Sequence, residues 1–291
     1  MSELRIAAIA LYDRYTHEGM DRRAFMAELT RLAGSAAAAS ALLAGIAADP
    51  AAAAVVPETD NRLRARRMSW PVGSGRMLKG YQAEPRSPVA PLGSVLVIHE
   101  NRGLNAHTED VARRLAAAGY RALAADFLSP VGGTPADQDA AREAIGKLDL
   151  GATAADAVAT LRLLKSLPRS NGKAGAVGFC WGGGMVNRVA LAAGETLAAG
   201  VSFYGPAPDP ALATQIRAPL QLHYAELDER VNKTGFPWRD ALAAAGKTVD
   251  AHVYPKVNHA FHNDTSAERY DAAAAMLAWQ RTLDFFGRHV R

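Results

Sequence analysis

The chain has 291 residues, of which 49% are hydrophobic and 21% charged, with a formal net charge of +4 at pH 7. The length accommodates one large α/β domain plus an extension, and the scattered lysines and arginines argue against a nucleic-acid surface. Cys180 is the only cysteine, which excludes an intrachain disulfide and a cysteine-rich metal site, and no apolar stretch is long enough to predict a membrane span.

Residues 1–56 are predicted to form an N-terminal extension ahead of an α/β domain at residues 57–291. The run Arg22-Arg23-Ala24-Phe25 resembles a twin-arginine export signal. An alanine-rich stretch follows it and ends at Ala51–Ala54, where a small-residue cleavage site could lie. We therefore favour export to the periplasm.

The alternative is a helical extension that is retained by a cytoplasmic protein. Residues 1–23 carry four arginines and four acidic residues, and Glu28 and Arg31 interrupt the apolar run, which is unusual for an export signal. A retained helix would bury its apolar side chains against the domain or against a second subunit of a homodimer, because an exposed apolar patch promotes association. The candidate side chains are Leu29, Leu32, Leu42, Leu43 and Ile46.

The main domain alternates between predicted strands and predicted helices. Pro57–Arg67 is polar and basic and is predicted to be a linker. Runs typical of strands lie at residues 77–83, 94–98, 120–125, 173–179, 198–204, 219–224 and 249–254. Helix-compatible runs lie at 108–118, with Thr108 as the N-cap, and at 140–148, 152–167, 185–193, 236–245 and 266–286. This alternation predicts a mostly parallel sheet with helices on both faces.

The hexapeptide Gly178-Phe179-Cys180-Trp181-Gly182-Gly183 joins a predicted strand to a predicted helix. It fits the pattern G-x-nucleophile-x-G, with cysteine as the nucleophile, in the strand–turn–helix context that this motif requires. Glycines flank the nucleophile because the turn is tight and larger side chains would clash. The alternative is a glycine-rich turn that holds a buried structural cysteine. A phosphate-binding loop is excluded because no Lys-Ser or Lys-Thr pair follows the glycines.

A nucleophilic cysteine needs a base, and the base needs an acid that orients it. In the chain order nucleophile, acid, histidine, Asp228 follows the strand at 219–224 and His259 follows the strand at 249–254. Catalytic groups of open parallel sheets converge at the carboxyl ends of the strands, so these residues can meet Cys180. The alternatives stay open at this point: Asp228 as a simple turn cap, Glu226 or Glu229 as the acid, and His252 or His262 as the histidine.

The chain resembles the dienelactone hydrolase (carboxymethylenebutenolidase) family of α/β hydrolases over residues 65–288. The stretches that carry the resemblance are Val97–Asn105, Gly178–Gly183, Tyr224–Asp228 and Tyr254–Phe261. It implies an α/β-hydrolase fold and an enzyme that cleaves a small ester or lactone.

The resemblance also implies a role for each side chain. Cys180 is expected to be the nucleophile, His259 its base and Asp228 the orienting acid. Glu100 is expected to contact the cysteine and to help generate the thiolate. A carboxylate beside a thiol disfavours the thiolate by charge alone, so Glu100 can help only by taking the proton.

The backbone N–H groups of Asn101 and Trp181 are expected to stabilise the oxyanion. The rings of Trp181 and Phe203 are candidates for the pocket lining, although an apolar ring near such a turn more often belongs to the core. We assign no role to Arg102. No metal or cofactor is expected.

The resemblance is incomplete at the positions that bind substrate. In dienelactone hydrolases, arginines grip the carboxylate of the substrate. One follows the strand end that corresponds here to Asp126–Pro130, and the other follows the histidine, where this chain has His262-Asn263-Asp264. Because neither place holds an arginine, we expect a neutral or differently charged ester or lactone. A thioesterase, an acyl transferase and a non-catalytic binding scaffold are the alternatives.

Overall fold

The computed structural model describes residues 3–47, 54–73 and 75–291, and within them one eight-stranded sheet forms the centre of the main domain. The strands in chain order are β1 (Leu63–Gly73), β2 (Arg76–Pro85), β3 (Leu92–Ile98), β4 (Arg121–Asp126), β5 (Ser170–Phe179), β6 (Ala199–Phe203), β7 (Leu220–Ala225) and β8 (Val249–Tyr254). Their order across the sheet is β1-β2-β4-β3-β5-β6-β7-β8. The pairs β1–β2 and β2–β4 are antiparallel and the other neighbours are parallel, which confirms the predicted fold class.

Helices cover both faces of the sheet, as the alternation of elements predicts. In chain order the helices are α1 (Glu3–His17), α2 (Arg22–Ala33), α3 (Ala36–Ile46), α4 (Ala106–Ala117), α5 (Gln138–Gly146), α6 (Leu150–Ser166), α7 (Trp181–Ala193), α8 (Glu229–Ala244) and α9 (Ala272–His289). Side chains of α6, α7 and α8 form the core on one face, and those of α4 and α9 form the core on the other.

Strand β3 is apolar from Val95 to Ile98, because it is buried on both faces. Successive side chains of a strand point to opposite faces. Leu96 and Ile98 accordingly belong to the core under α6–α8, whereas Val95 and Val97 belong to the core under α4 and α9. A strand that is buried on both faces has no solvent-facing position for a polar side chain.

The predicted linker at Pro57–Arg67 is wrong for its second half. Strand β1 starts at Leu63 and pairs with β2 along its length. Its polar, basic composition reflects its place at the edge of the sheet, where charged side chains discourage pairing with another chain.

Several predicted helix starts are also wrong. Helix α4 is capped by Asn105 rather than by Thr108, since Asn105 Oδ1 accepts a hydrogen bond from Thr108 N at 3.0 Å. Helix α8 begins at Glu229, not at residue 236, and contains Pro237. Proline is common in the first turn of a helix, so Pro237 favours a predicted start near residue 236. The last helix begins at Ala272 rather than at residue 266, and residues 267–269 form a turn.

The N-terminal helices α1–α3 form a small apolar core of their own. Leu29 and Ile46 are buried in it, and Leu32, Leu42 and Leu43 pack around it half-buried. Most of the predicted cleavage site, Ala51 to Ala53, lies outside the described residues. Among those described, no helix alone is long and apolar enough to cross a membrane, but α2 and α3 pass that test as a pair that is bent by 109°.

Candidate active site

Cys180 lies in the sharp turn between β5 and α7. Its backbone has φ 56° and ψ −115°, a conformation that residues with a side chain rarely adopt, and its side chain is buried. The turn is tight because of its glycines. A Cβ at Gly178 would lie 2.1 Å from the Gly182 carbonyl oxygen, and one at Gly182 would lie 2.3 Å from the Ile98 carbonyl oxygen. The strained cysteine and its glycines have the geometry of a nucleophile elbow.

Asp228 and His259 meet at the same end of the sheet. Asp228 follows β7 and caps α8, with Oδ1 accepting a hydrogen bond from Val231 N at 3.1 Å. Its Oδ2 lies 2.5 Å from Nδ1 of His259, which follows β8. Both side chains are buried. The imidazole also forms a side-chain hydrogen bond with Cys180, so the three groups form a connected chain.

The alternative acids and histidines have other partners. His252 lies 2.9 Å from Asp250, and the Glu226 carboxylate accepts a hydrogen bond from Lys256 N at 2.7 Å. Glu229 is exposed in the first turn of α8. His262 is buried among aromatic rings, including those of Phe179, Phe203 and Trp279. Of the candidates, the structure brings Asp228 and His259 together with Cys180.

The buried charges shift the pKa values of this pair. Burial lowers the pKa of His259, but the Asp228 carboxylate and the sulfur of Cys180 outweigh it and raise that pKa to about 10. Burial acts in the opposite direction on the carboxylate and by itself would raise the pKa of Asp228. The charge and the hydrogen bond of His259 more than offset this, so the pKa of Asp228 lies below its usual value. The surroundings therefore favour a protonated imidazole beside the Asp228 carboxylate.

Glu100 lies in the loop after β3 and shares a cavity with Cys180 and His259. Its Oε2 accepts a hydrogen bond from Asn263 Nδ2 at 2.9 Å, and Tyr204 Oη lies 3.5 Å from its Oε1. Burial, and then the charges of Glu100 and Cys180, raise the pKa of Tyr204 well above its ordinary value, so its hydroxyl stays protonated. Tyr204 and Asn263 thus orient the carboxylate that the sequence places near the cysteine.

Asn101 lines the cavity at Cys180, and its Nδ2 donates to the carbonyl oxygen of Thr16 at 3.2 Å. Trp181 is the first residue of α7, where backbone N–H groups have no partner within the helix. Of the two alternatives for the rings of Trp181 and Phe203, the structure shows packing in the core. Trp181 stacks on His99 with 5.3 Å between ring centroids, and Phe203 is fully buried in the core, so neither ring faces the cavity.

The cavity at Cys180 measures about 20 Å³. It adjoins a larger one of about 430 Å³, and the two share Glu100, Arg102 and Gln138. The sequence did not predict the remaining wall of the smaller cavity, which is formed by Tyr12 and Thr16 of α1, by Ala260 and by Arg269. No local pattern indicates that residues so far from the elbow in the chain would reach it.

Two arginines line this cavity, although neither stands where the family resemblance would place one. Arg102 Nη1 donates to the Gln138 carbonyl oxygen at 2.7 Å and to Asp139 Oδ1 at 3.2 Å. Arg269 Nε donates to the Ile46 carbonyl oxygen at 3.1 Å. Both guanidinium groups are therefore already bound to acceptors within the protein.

Comparisons with known proteins identify the family of the chain. Residues 78–290 match the sequence profile of the dienelactone hydrolase family. A Methylorubrum extorquens protein named "Putative carboxymethylenebutenolidase" is 30% identical over 282 residues, which cover 91% of this chain and 96% of that protein. The Pseudomonas putida protein named "Carboxymethylenebutenolidase" is 31% identical over 208 residues, which cover 67% of this chain and 86% of that protein.

Solved structures show the same relationship. A Klebsiella pneumoniae protein described as a "Putative Dienelactone Hydrolase" superimposes with a TM-score of 0.71 at 28% identity, covering 79% of this chain and 100% of that one. The alignment with the Methylorubrum protein covers 91% of this chain, which is more than residues 57–291 make up. It therefore reaches into the N-terminal extension.

Proposed function

The chain belongs to the dienelactone hydrolase family and is a hydrolase of that family, and on this premise we propose that it cleaves a small ester or lactone through an acyl-cysteine intermediate on Cys180. The observation that carries the proposal is the connected set of Cys180, His259 and Asp228. A strained nucleophile position, a buried histidine that contacts it and a carboxylate 2.5 Å behind that histidine are the parts that nucleophilic acyl transfer requires.

In the first half of the reaction, the thiolate of Cys180 attacks the carbonyl carbon of the substrate, and the carbonyl electrons move onto oxygen. The N–H groups of Asn101 and Trp181 stabilise this oxyanion. When the carbonyl re-forms, the alkoxide leaves and takes the proton of the His259 imidazolium. The cysteine is now acylated and the histidine is neutral.

In the second half, the oxygen of a water molecule attacks the thioester carbonyl, and neutral His259 takes a proton from that water. The thiolate leaves, the acid product departs, and the imidazolium–thiolate pair is restored. Asp228 keeps Nδ1 of the imidazole directed toward itself, which leaves the opposite ring nitrogen for the sulfur and the water. When the site starts from the neutral thiol, Glu100 takes the proton of Cys180. This transfer neutralises the carboxylate, which would repel the thiolate if it stayed charged.

We propose an uncharged acyl group and an uncharged alcohol for the substrate. The two arginines that line the cavity already donate to Gln138, Asp139 and Ile46. A substrate carboxylate would have to displace one of these acceptors to gain a bidentate contact.

The proposal is tested with purified protein and a panel of small esters and lactones, quenched in acid during turnover. We expect intact-mass spectra to show the protein plus the acyl group, and peptide mapping to place that group on Cys180. The same quench of Cys180→Ala should show no adduct. Turnover without any adduct in the wild type, or an adduct on another residue, would contradict the acyl-cysteine mechanism.

A further inference from the structure

The N-terminal helices form a layer that is separate from the main domain. Their buried apolar side chains contact each other, and the cluster that they form contains only residues of the segment from Ala8 to Ala47. We call α1–α3 the cap. Two rings of this core, those of Tyr12 and Tyr15, also lie against the guanidinium groups of Arg269 and Arg142 of the domain. The cap is therefore held in place by specific contacts with the domain.

Those contacts are mainly hydrogen bonds and ion pairs. Asp139 accepts from Tyr15 Oη at 2.6 Å and from Arg22 Nη1 at 2.7 Å. On the other side of the site, Ser266 Oγ donates to the Ile46 carbonyl oxygen at 2.5 Å. Ser266 lies in the loop that also supplies His259 and Arg269, and Asp139 contacts Arg102, so the cap is attached directly over the cysteine.

Helix α1 closes the site. Tyr12 and Thr16 are four residues apart and therefore lie on the same face of the helix. Both line the cavity that contains Cys180 and His259. That cavity measures about 20 Å³, which is room for about one water molecule. While these two side chains stay in place, a bulky molecule has no space beside the sulfur.

Tyr12 stands between this small space and a larger one. Besides the cavity at Cys180, it lines a second cavity of about 360 Å³ under the cap, and its hydroxyl lies 3.4 Å from Arg102 Nη2. Removing the ring would join the two spaces. Next to it, Asp13 lies 3.7 Å from Arg269, and burial raises the pKa of its carboxyl although His259 and Arg269 act in the opposite direction. Tyr12 and Thr16 are themselves buried, so this face of α1 is shielded from water.

We propose that in the full-length chain α1 is a wall of the substrate site, and that Tyr12 and Thr16 set the size of the molecule that can reach Cys180. The proposal rests on the proposed function, because it concerns the substrate of the same cysteine. Its first test nevertheless needs no catalysis, since alkylation of the thiol reports access whether or not the protein hydrolyses an ester.

The test compares alkylation of Cys180 in the full-length protein by iodoacetamide and by the bulkier N-(1-pyrenyl)maleimide, each rate being divided by that of a free cysteine. The chain has no other cysteine, so intact mass reports this site alone. We expect the wild type to exclude the pyrenyl maleimide. In Tyr12→Ala, the relative rate of alkylation by this bulky reagent should rise by about tenfold. Tyr12→Phe keeps the ring and should behave as the wild type. Ile6→Ala, at an exposed position of the same helix, is the matched control.

Thr16→Phe separates a narrowed site from a loosened cap. A larger side chain at this position should slow even iodoacetamide if the cap is in place, whereas a cap that had come away would speed both reagents. The proposal is overturned if the wild type does not discriminate between the reagents, or if Tyr12→Ala leaves the discrimination unchanged.

The same variants are then assayed with acetate and octanoate esters. Tyr12→Ala should raise the specificity constant for the octanoate relative to the acetate by about tenfold, within the range that pocket size alone provides. If no ester is turned over by any of the proteins, the proposed function fails, while the alkylation result still decides whether α1 covers the cysteine.

Discussion

The Nδ1 atom of His259 lies 2.5 Å from Oδ2 of Asp228, and 1% and 3% of the two side chains are exposed. Burial alone would favour the neutral imidazole, but this contact stabilises the charged form. Together with Cys180 it raises the pKa of His259 from 6.5 to about 10. The folded protein therefore binds this proton more tightly than the unfolded chain does, and protonation of His259 stabilises the fold.

We expect the free energy of unfolding to fall as the pH rises from 6.5 to about 10. Below this range both states carry the proton and the stabilisation is complete, and above it neither state does. His259→Gln should lose this dependence, and the difference between the two proteins should amount to a few kcal/mol. Denaturant unfolding at both ends of the range measures it.

His252→Gln is the matched control for that experiment. Burial lowers the pKa of His252, so this residue adds no loss of stability on the alkaline side. Parallel pH curves for the wild type and His259→Gln would show that the proton on His259 is not held in the way that the contact with Asp228 indicates.

Loss of the nucleophile is the next expectation. Cys180→Ala should abolish ester hydrolysis while the far-ultraviolet circular dichroism stays that of the wild type. Because the groups act as a unit, His259→Ala should cost about as much as Cys180→Ala, and the double variant little more. Steady-state rates of the three proteins test this. Turnover by Cys180→Ala near that of the wild type would rule out Cys180 as the nucleophile.

The histidine should also control the reactivity of the sulfur. The thiolate is the nucleophilic form of cysteine, and a neighbouring imidazolium stabilises it. We expect His259→Gln to slow alkylation of Cys180 by iodoacetamide at pH 7 by about tenfold. His252→Gln should leave the rate unchanged. If both variants react as the wild type does, Cys180 is a buried structural thiol.

Substrate charge provides a further check. We expect uncharged short-chain esters and lactones to have higher specificity constants than a carboxylate-bearing dienelactone. A carboxylate is best bound by the fork of an arginine, and those of Arg102 and Arg269 are engaged within the protein. Specificity constants that favour the dienelactone would contradict this. Arg102→Lys and Arg269→Lys would then identify the arginine that has changed partners.

The parts of the fold that the sequence predicted well are those with a local cause. Strand β3 is apolar from Val95 to Ile98 because helices cover both of its faces, and the cysteine turn is rich in glycine because a Cβ would clash within it. Cys180, Asp228 and His259 could be predicted to meet because each follows a strand, and the carboxyl ends of parallel strands lie at the same edge of the sheet. Periodicity and turn chemistry suffice for such features.

The parts that were predicted incorrectly, or not at all, depend on tertiary contacts. Strand β1 resembles a linker because an edge strand keeps polar residues, and α8 starts early because Asp228 caps it while its other oxygen contacts His259. Tyr12 reaches Cys180 only through the way the cap docks, and Arg269 reaches it from the long loop between β8 and α9. No spacing in the sequence encodes that docking.

The fate of the cap is the last prediction, and here the two interpretations of the N-terminus diverge. If Arg22 and Arg23 form an export signal, the mature protein begins near Ala54 or Val55, loses the cap and works with an uncovered cysteine. If the extension is retained, the apolar core of α1–α3 and its contacts with Asp139 and Ser266 remain in the working enzyme.

The intact mass of the protein from its native host, measured separately for periplasmic and cytoplasmic fractions, distinguishes the two. Export, which we favoured from the sequence, predicts a periplasmic protein whose mass lacks residues 1 to about 54. Arg22→Lys together with Arg23→Lys should then keep the full-length protein in the cytoplasm, because the arginine pair is read by a receptor. Ala7→Ser, on the preceding helix, is the control that should leave export unchanged. A cytoplasmic protein of full-length mass would contradict export, and the size limit set by Tyr12 would then apply to the enzyme in the cell.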